Sequence, residues 1–339
     1  MSLTQPRPLA AALGLLREAP AAFDYDHVSL IPRVSSTLLH RADAIPAAQL
    51  GPLSLDVPLV GSPMPDVCGP EMCRALAASG AAGILHRFQS IAEQIEQVVA
   101  LRGPAADPAA TVGVTGDYQE RLRALVAAGC RVICLDTANG AHEQVAKAME
   151  WIRAEAPDVF LIAGNVASAE AFTWLEDRGA DAIRVGIAGG SVCDTRTETG
   201  VFVPTPYAVA EAADVRRRAL IIGDGGVRNP ADACKLLALG ADLVMLGSAL
   251  AGTDEAPGQL IAIDGKPYKV MRGAASFSVQ QQAGNLDPDY VEGAETLAPA
   301  KGPVGVVVRR FLAGLRSSMS YMNARTLDEY RRNAAFVRV

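Results

Sequence analysis

The sequence predicts a closed (β/α)₈ barrel, and three observations predict it. Eight short apolar, β-branched runs recur along the chain, each ending in glycine or a polar residue. Alanine-rich segments with helical spacing lie between them, and most end at glycine, as helix C-termini commonly do. Strands that are apolar throughout and alternate with helices indicate a parallel sheet covered on both faces, and eight such units in 339 residues favour closure. A doubly wound open sheet is the structural alternative.

The predicted elements follow one another without an obvious linker. The strands are VPLVGSP from residue 57, AAGILHR from 81, ATVGVTG from 110, RVICLDT from 131, VFLIAGNV from 159, AIRVGIA from 182, ALIIGDGG from 219 and DLVMLGSAL from 242. The clearest helices between them are YQERLRALVAAG, HEQVAKAMEWIRAEA, SAEAFTWLEDRG and NPADACKLLALG. We therefore expect residues 1–339 to form a single domain.

Two connections are longer than the rest. The strand starts at 182 and 219 are far apart, and residues 251 to about 303 follow the eighth strand without clear periodicity. Long insertions in compact domains are usually binding loops or lids. We expect a long active-site flap at about 270–303.

Bulk composition limits the partners. The net charge is −6 with a pI near 5.4, which argues against nucleic acid, because that affinity comes largely from lysine and arginine at phosphates. Six cysteines spread over the chain are too sparse for a secreted disulfide scaffold. The first 20 residues do not have the pattern of a signal peptide, and no apolar run reaches the roughly 20 residues of a membrane span. A cytoplasmic protein with no membrane partner is expected.

Polar residues and glycines collect at the predicted carboxyl ends of the strands. These ends read GSPM, HR, DTANG, GNV, GIAGGSVC, GDGG and GSAL. In a (β/α)₈ barrel the active site forms from the loops at this face. The sequence therefore predicts a site there.

The glycine turns GDGGV (223–227) and GSAL (247–250) follow the last two strands. Backbone amides in such turns can hold a phosphate, the usual use of the loops after strands seven and eight. Ser191 lies in a third glycine turn and favours the same interpretation, whereas the alternative is that the glycines only make tight turns. Asp224 would repel phosphate but could accept hydrogen bonds from ribose hydroxyls.

Cys193 differs from the other cysteines in its position. It lies beyond the sixth strand, in a loop rich in backbone amides and near Arg196, an environment that favours the thiolate. No His or Cys stands at metal-ligand spacing around it. We predict a nucleophile at this position. The remaining cysteines lie on strand or helix patterns and are expected to be small buried hydrophobes: Cys68, Cys73, Cys130, Cys134 and Cys234.

The order of these motifs resembles that of the IMP dehydrogenase and GMP reductase barrels. The matching segments are FDYDHVSLIPR, VPLVGSPM, GILHR, LDTANG, AGNV, RVGIAGGSVCDTRTETGV, GDGGV, LGSALAGTDEAPG, EGAE and GLRSSMSY. They cover nearly the whole chain. The segment G-S-V-C-x-T-R after an R-V-G strand is highly specific.

The resemblance implies a purine nucleotide whose C2 is attacked by Cys193 to form a thioimidate, with hydride exchanged with a nicotinamide cofactor. The implied substrate contacts are Ser191, Gly225, Gly226, Gly247 and Ser248 for phosphate, Asp224 for ribose, Met64 for the base, and also Arg184, Arg272 and Gly273. The implied cofactor contacts are Asp136, Thr137, Ala138 and Asn165. The family also implies a monovalent cation, K⁺, on the backbone of Ala188 and Gly190, and a homotetramer.

The two activities of the family differ in how the shared intermediate is resolved. A dehydrogenase hydrolyses it with an Arg-Tyr pair on the flap, but residues 273–291 contain Tyr290 and neither arginine nor lysine. Thr195 and Glu292 match the hydroxyl and carboxyl with which reductases protonate the leaving amine. The alternative for Glu292 is a solvated loop carboxylate, since many dehydrogenases also carry Glu there.

A further discriminator lies between Arg87 and Val112. Most dehydrogenases insert a regulatory pair of modules in this part of the chain, whereas here the short segment SIAEQIEQVVALRG fills it. We therefore expect a GMP reductase that uses NADPH. The alternatives are an IMP dehydrogenase that uses NAD, and a non-catalytic barrel that binds purine nucleotides.

Several positions depart from the family pattern. M-D-T-V after the first strand is here Met64-Pro65-Asp66-Val67, and a glycine is replaced by Ala188. Thr205 stands where a loop glutamine is common, and Met271 stands where dehydrogenases have a phosphate-binding tyrosine. These changes leave open the exact purine base and the cation site.

Overall fold

A computed structural model describes residues 20–103, 107–282 and 291–339. Its strands, in chain order, are β1 (Val28–Leu30), β2 (Ala48–Leu50), β3 (Leu53–Leu55), β4 (Leu59–Gly61), β5 (Ala82–Leu85), β6 (Ala109–Val112), β7 (Val132–Asp136), β8 (Phe160–Val166), β9 (Ala182–Val185), β10 (Leu220–Asp224), β11 (Leu243–Leu246), β12 (Ile261–Ile263), β13 (Lys266–Arg272), β14 (Glu295–Pro299) and β15 (Phe336–Arg338). Strands β4 to β11 form a closed parallel barrel in the order β4-β5-β6-β7-β8-β9-β10-β11, with β11 paired to β4. The predicted (β/α)₈ barrel is confirmed, and the open-sheet alternative is wrong.

Helices lie between the barrel strands and after the last of them. They are α1 (Pro70–Ala78), α2 (Ile91–Leu101), α3 (Tyr118–Ala127), α4 (Glu143–Glu155), α5 (Ala169–Asp177), α6 (Thr195–Thr199), α7 (Thr205–Val215), α8 (Pro230–Leu239), α9 (Phe277–Gln282), α10 (Val304–Tyr321) and α11 (Leu327–Asn333), with short 3₁₀ turns at Tyr25–His27 and Arg41–Asp43. Asn229 shows how the sequence sets such a boundary: its side chain accepts hydrogen bonds from the N–H groups of Ala231 and Asp232, and so caps α8. None of the described helices is both long enough and apolar enough to cross a membrane.

The barrel interior is packed rather than open. Inward-facing Val60, Ile84 and Ile162 belong to a buried apolar cluster that also contains Leu50 and Leu55. These two leucines come from the β2–β3 hairpin. They precede the first barrel strand and close the amino-terminal end of the barrel.

The segment after β11 is more regular than its sequence indicates. Residues 251–303 were expected to lack periodic structure, but β12, β13 and β14 form a three-stranded antiparallel sheet. Asp264 and Gly265 both have positive φ (50° and 74°) and join β12 to β13 as a two-residue turn. An Asp-Gly pair between two short strand segments is a strong hairpin signal, and it is the signal that could have corrected the expectation.

Candidate active site

A cleft of about 270 Å³ opens at the carboxyl ends of the barrel strands. Most of the predicted site residues line it: Met64, Asp136, Thr137, Ala138, Asn165, Arg184, Ala188, Gly190, Cys193, Thr195, Asp224, Gly225, Gly273 and Glu292. They come from the ends of five barrel strands, β4, β7, β8, β9 and β10, and from residues 273 and 292 of the predicted flap. Residues 283–290 of the predicted flap, with Tyr290, lie outside the described residues.

An ionic network forms the floor of the cleft. The Arg184 side chain projects from β9 and lies between two carboxylates, with N–O distances of 2.5 Å to Asp136 and 2.9 Å to Asp224. Asn165 donates from Nδ2 to the same Asp224 oxygen at 2.8 Å. Arg184 is 7% exposed, so its charge depends on these two partners.

The network also sets protonation states. Burial raises the pKa of Asp136, but the charges of Arg184 and Arg87 outweigh burial and hold that pKa below its usual value. Burial lowers the pKa of Arg184, but the charges of Asp224 and Asp136 outweigh burial and hold that pKa well above its usual value. Asp136 and Arg184 are therefore both charged at neutral pH.

Sequence reasoning missed Arg87 as a site residue. It lies in the cleft wall, 3.6 Å from Asp136 and with its guanidinium carbon 4.7 Å from the centre of the Phe88 ring. The available signal was its position, in the pair His86-Arg87 directly after β5.

A hydrogen-bonded chain connects Cys193 to Glu292. Cys193 Sγ lies 3.3 Å from Thr195 Oγ1, and Thr195 donates to Glu292 Oε2 at 2.7 Å. Thr195 is the first residue of α6, two positions after the cysteine, whereas Glu292 lies 97 residues further along the chain. The three predicted catalytic side chains are thus in contact.

Backbone pairing holds Glu292 at the loop that follows β9, residues 186–194, which we call the cysteine loop. Asp194 N–H donates to the Glu292 carbonyl at 2.9 Å, and Ala294 N–H donates to the Val192 carbonyl at 3.0 Å. Between these bonds, Cys193 and Gly293 form an antiparallel β-bridge. A side chain at Gly293 would meet Ser276 N at 2.5 Å, so the close approach requires glycine.

A recess adjoins the cleft and shares Ala188, Gly190 and Cys193 with it. Three of the predicted phosphate contacts line this recess: Ser191, Gly226 and Ser248. Tyr25 and Arg228 are further wall residues that the sequence analysis did not single out. The Tyr25 hydroxyl donates to the Gly225 carbonyl at 2.7 Å and so anchors the glycine turn after β10.

Two predicted contacts lie elsewhere. Gly247 borders Met64, because a side chain there would come within 3.5 Å of the Met64 sulfur. Arg272 does not line the cleft or the recess: its Nε and Nη2 contact the Asp66 carboxylate at 2.7 and 2.6 Å. The predicted contact of the Arg272 side chain with substrate is not supported by this placement, because a buried acid two positions after Met64 holds the guanidinium.

The wall near β7 and β8 fits a carboxamide such as that of nicotinamide. Asn165 Oδ1 is buried without a hydrogen-bond partner among the described residues, beside Thr137 and Ala138 of the cleft lining. A buried acceptor of this kind costs free energy until a donor reaches it. An N–H of a bound cofactor would meet that need. The cation predicted on the backbone of Ala188 and Gly190 stays a prediction.

Comparison with known proteins gives one family. The model of the IMP dehydrogenase / GMP reductase domain matches residues 22–339. Curated relatives include inosine-5′-monophosphate dehydrogenases from Aquifex aeolicus (44% identical over 240 residues) and Bacillus subtilis (41% over 240 residues). Each match covers 68% of this chain and 49% of the relative, so the match spans about half the length of these relatives.

Among solved structures, a GMP reductase variant from Trypanosoma brucei in complex with guanosine 5′-monophosphate is similar over the whole barrel. The TM-score is 0.91 at 27% sequence identity, covering 96% of both chains. The similar structure and the similar sequences therefore carry the names of two different activities.

Proposed function

This chain belongs to the IMP dehydrogenase / GMP reductase family, and from that premise we propose that it reduces GMP to IMP and ammonia with NADPH. Family membership supports an oxidoreductase that acts on a purine nucleotide. The choice between the two activities depends on how the site resolves the bond between the cysteine and the nucleotide.

The observation that carries the proposal is the chain from Cys193 through Thr195 to Glu292. A reductase must add a proton to the amine on C2 before ammonia can leave. A hydroxyl at 3.3 Å from the sulfur, backed by a carboxyl at 2.7 Å, supplies such a proton beside the attacked carbon. General acid catalysis of this kind contributes roughly 10²–10⁴ in rate.

The proposed reaction replaces the C2–N bond of GMP by a C2–H bond. The Cys193 thiolate attacks C2 of GMP and forms the S–C2 bond, Thr195 passes a proton from Glu292 to the amine, and the C2–N bond breaks to release ammonia. NADPH would be held by Asp136, Thr137, Ala138 and Asn165, and would supply the hydride to C2 when bound. The S–C2 bond then breaks, giving IMP and the thiolate. One proton and one hydride enter for each ammonia released.

The remaining residues hold the substrate. Asp224 accepts from ribose hydroxyls, since its contacts with Arg184 and Asn165 hold its carboxylate in place. Ser191, Gly226 and Ser248 take the phosphate in the recess. The GMP bound to the similar Trypanosoma brucei structure supports a nucleotide of this class.

IMP dehydrogenase is the second candidate, because the curated relatives carry that name at up to 44% identity. That reaction needs a base for water. Residues 273–291 contain no arginine or lysine, so the Arg-Tyr pair expected of a dehydrogenase has no counterpart in this segment.

Two assays on the purified protein separate the candidates: NADPH oxidation with GMP, and NAD reduction with IMP. We expect turnover in the first. Glu292→Gln and Thr195→Val should lower that turnover by roughly 10²–10⁴, with the melting temperature unchanged. Glu295→Gln and Thr197→Val are matched controls, because Glu295 contacts Ser278 and Thr197 contacts Asp194 rather than the catalytic chain. Rapid IMP oxidation without GMP reduction would assign the dehydrogenase instead.

A further inference from the structure

Two lysines bind the loop that follows the eighth barrel strand. We define this loop, residues 247–256, as the β11 loop; its Ser248 lines the recess. Lys301 Nζ donates to the carbonyls of Ser248 at 2.5 Å and Ala249 at 3.2 Å. Lys269 Nζ donates to three later carbonyls, Thr253 at 3.0 Å, Asp254 at 3.1 Å and Ala256 at 2.6 Å. Neither lysine forms an ion pair among the described residues.

Backbone hydrogen bonds hold Lys301 beside the β11 loop before any ligand binds. Lys301 N–H donates to the Gly252 carbonyl at 2.9 Å, and Asp254 N–H donates to the Gly302 carbonyl at 3.0 Å. The chain around Lys301 therefore runs beside the β11 loop, and its side chain reaches back to the start of that loop. Because the backbone already lies beside the loop, the Lys301 side chain loses less conformational entropy when it contacts the Ser248 carbonyl.

The contact between Lys301 and the Ser248 carbonyl also orients the neighbouring N–H group, which could bind an anion. In a trans peptide the C=O and N–H groups point to opposite sides. With the Ser248 carbonyl on Lys301, the Ala249 N–H points away from the ammonium group. The N–H groups of Gly247, Ser248 and Ala249 donate to no backbone carbonyl among the described residues outside the strand ladders. Successive free amides of this kind form an anion-binding concavity.

We propose that Lys301 is a positioning residue for the 5′-phosphate of the nucleotide: it holds the first peptides of the β11 loop so that their amides and the Ser248 hydroxyl face the recess. This inference rests on the proposed function only in taking a 5′-nucleotide as the ligand. The positive charge also polarises the peptides it contacts, which strengthens their N–H groups as donors.

Lys269 provides the contrast. It makes the same kind of contact, but it is 6% exposed and holds the far end of the loop. We assign Lys269 to the stability of the loop and Lys301 to the affinity for the phosphate. A test must therefore separate loss of phosphate affinity from general loosening of the loop.

The experiment compares Lys301→Met, Lys301→Arg, Lys269→Met and the control Lys266→Met. Lys266 is an exposed lysine at the start of β13. Dissociation constants for GMP, IMP and guanosine are measured by calorimetry and competition, together with thermal unfolding. We expect Lys301→Met to weaken GMP and IMP about tenfold and guanosine by less than about twofold. Lys301→Arg should restore most of the loss, and Lys266→Met should bind like the wild type.

Equal weakening of GMP and guanosine, or unchanged GMP affinity in Lys301→Met, would overturn the role of Lys301. A parallel fall in melting temperature in Lys301→Met and Lys269→Met would do the same, because it assigns both lysines to stability. Wild-type protein that binds neither GMP nor IMP contradicts the proposed function instead. Tight IMP binding with dehydrogenase turnover contradicts the reductase alone and leaves the test of Lys301 intact.

Discussion

The floor and the roof of the cleft are built in different ways. The floor consists of Asp136, Asn165, Arg184 and Asp224, which lie at or beside the ends of adjacent barrel strands and share buried, charged hydrogen bonds. The roof consists of residues 273–276 and 291–294 of the flap. It contacts the cysteine loop through two backbone hydrogen bonds and through the side-chain hydrogen bond from Thr195 to Glu292. The floor is part of the barrel core, whereas the roof is attached to it.

This difference separates two tasks. A buried ionic network cannot change without a large cost in stability, so the floor suits the part of the nucleotide that both family activities share. The roof carries Glu292, on which the choice between ammonia release and hydrolysis depends in our proposal. Changes in the roof can therefore alter the reaction while the barrel remains intact.

The largest expected effect lies at the junction of floor and roof. Cys193→Ala should lower turnover by roughly 10⁴-fold or more, because no other group can form the bond to C2, and should leave nucleotide binding in place. Steady-state rates and calorimetry measure the two effects. Cys234→Ala is the control: burial raises the pKa of Cys234 to about 11, so it is a neutral thiol away from the cleft. Retained turnover in Cys193→Ala would refute the covalent mechanism.

Breaking the floor should cost stability. Arg184→Met leaves Asp136 and Asp224 buried without their common partner, and we expect a loss of about 3–5 kcal/mol in the free energy of unfolding. Denaturant titration measures it. Arg87→Met removes a longer contact of 3.6 Å from a side chain that is 34% exposed, and should cost less than about 1 kcal/mol. Similar losses in both variants would contradict the distinction between the floor and its edge.

The smallest effect concerns strain in the cysteine loop. Ala188 has φ = 61°, a left-handed conformation that disfavours any residue with a Cβ. Ala188→Gly relieves that strain but increases the freedom of the unfolded chain, so a net stabilisation of up to about 1 kcal/mol is expected. The control Ala141→Gly, at a position without positive φ, should instead destabilise the protein. Thermal unfolding of both variants tests the sign.

Features set by residues close together in the sequence were predictable, whereas contacts between residues far apart in the sequence were not. The eight strands and the helix after Asn229 were predictable, because apolar periodicity and capping residues act within a few positions. The hairpin at Asp264-Gly265 is also encoded locally, because both residues adopt the positive φ that a two-residue turn requires. The pairing of Arg272 with Asp66 has no local sequence signal, since the two residues are 206 positions apart.

The sequence by itself determined the order of strands and helices, the glycine-rich carboxyl ends and the loop that carries Cys193, because each depends on local conformational preference. Tertiary structure decided which distant groups meet: Glu292 with Thr195, Arg184 between Asp136 and Asp224, and Lys301 with Ser248. The physical reason is that such contacts form only once the barrel closes and the chain beyond β11 folds back over it. Closure depends on the summed burial of the whole core and not on any local pattern of residues.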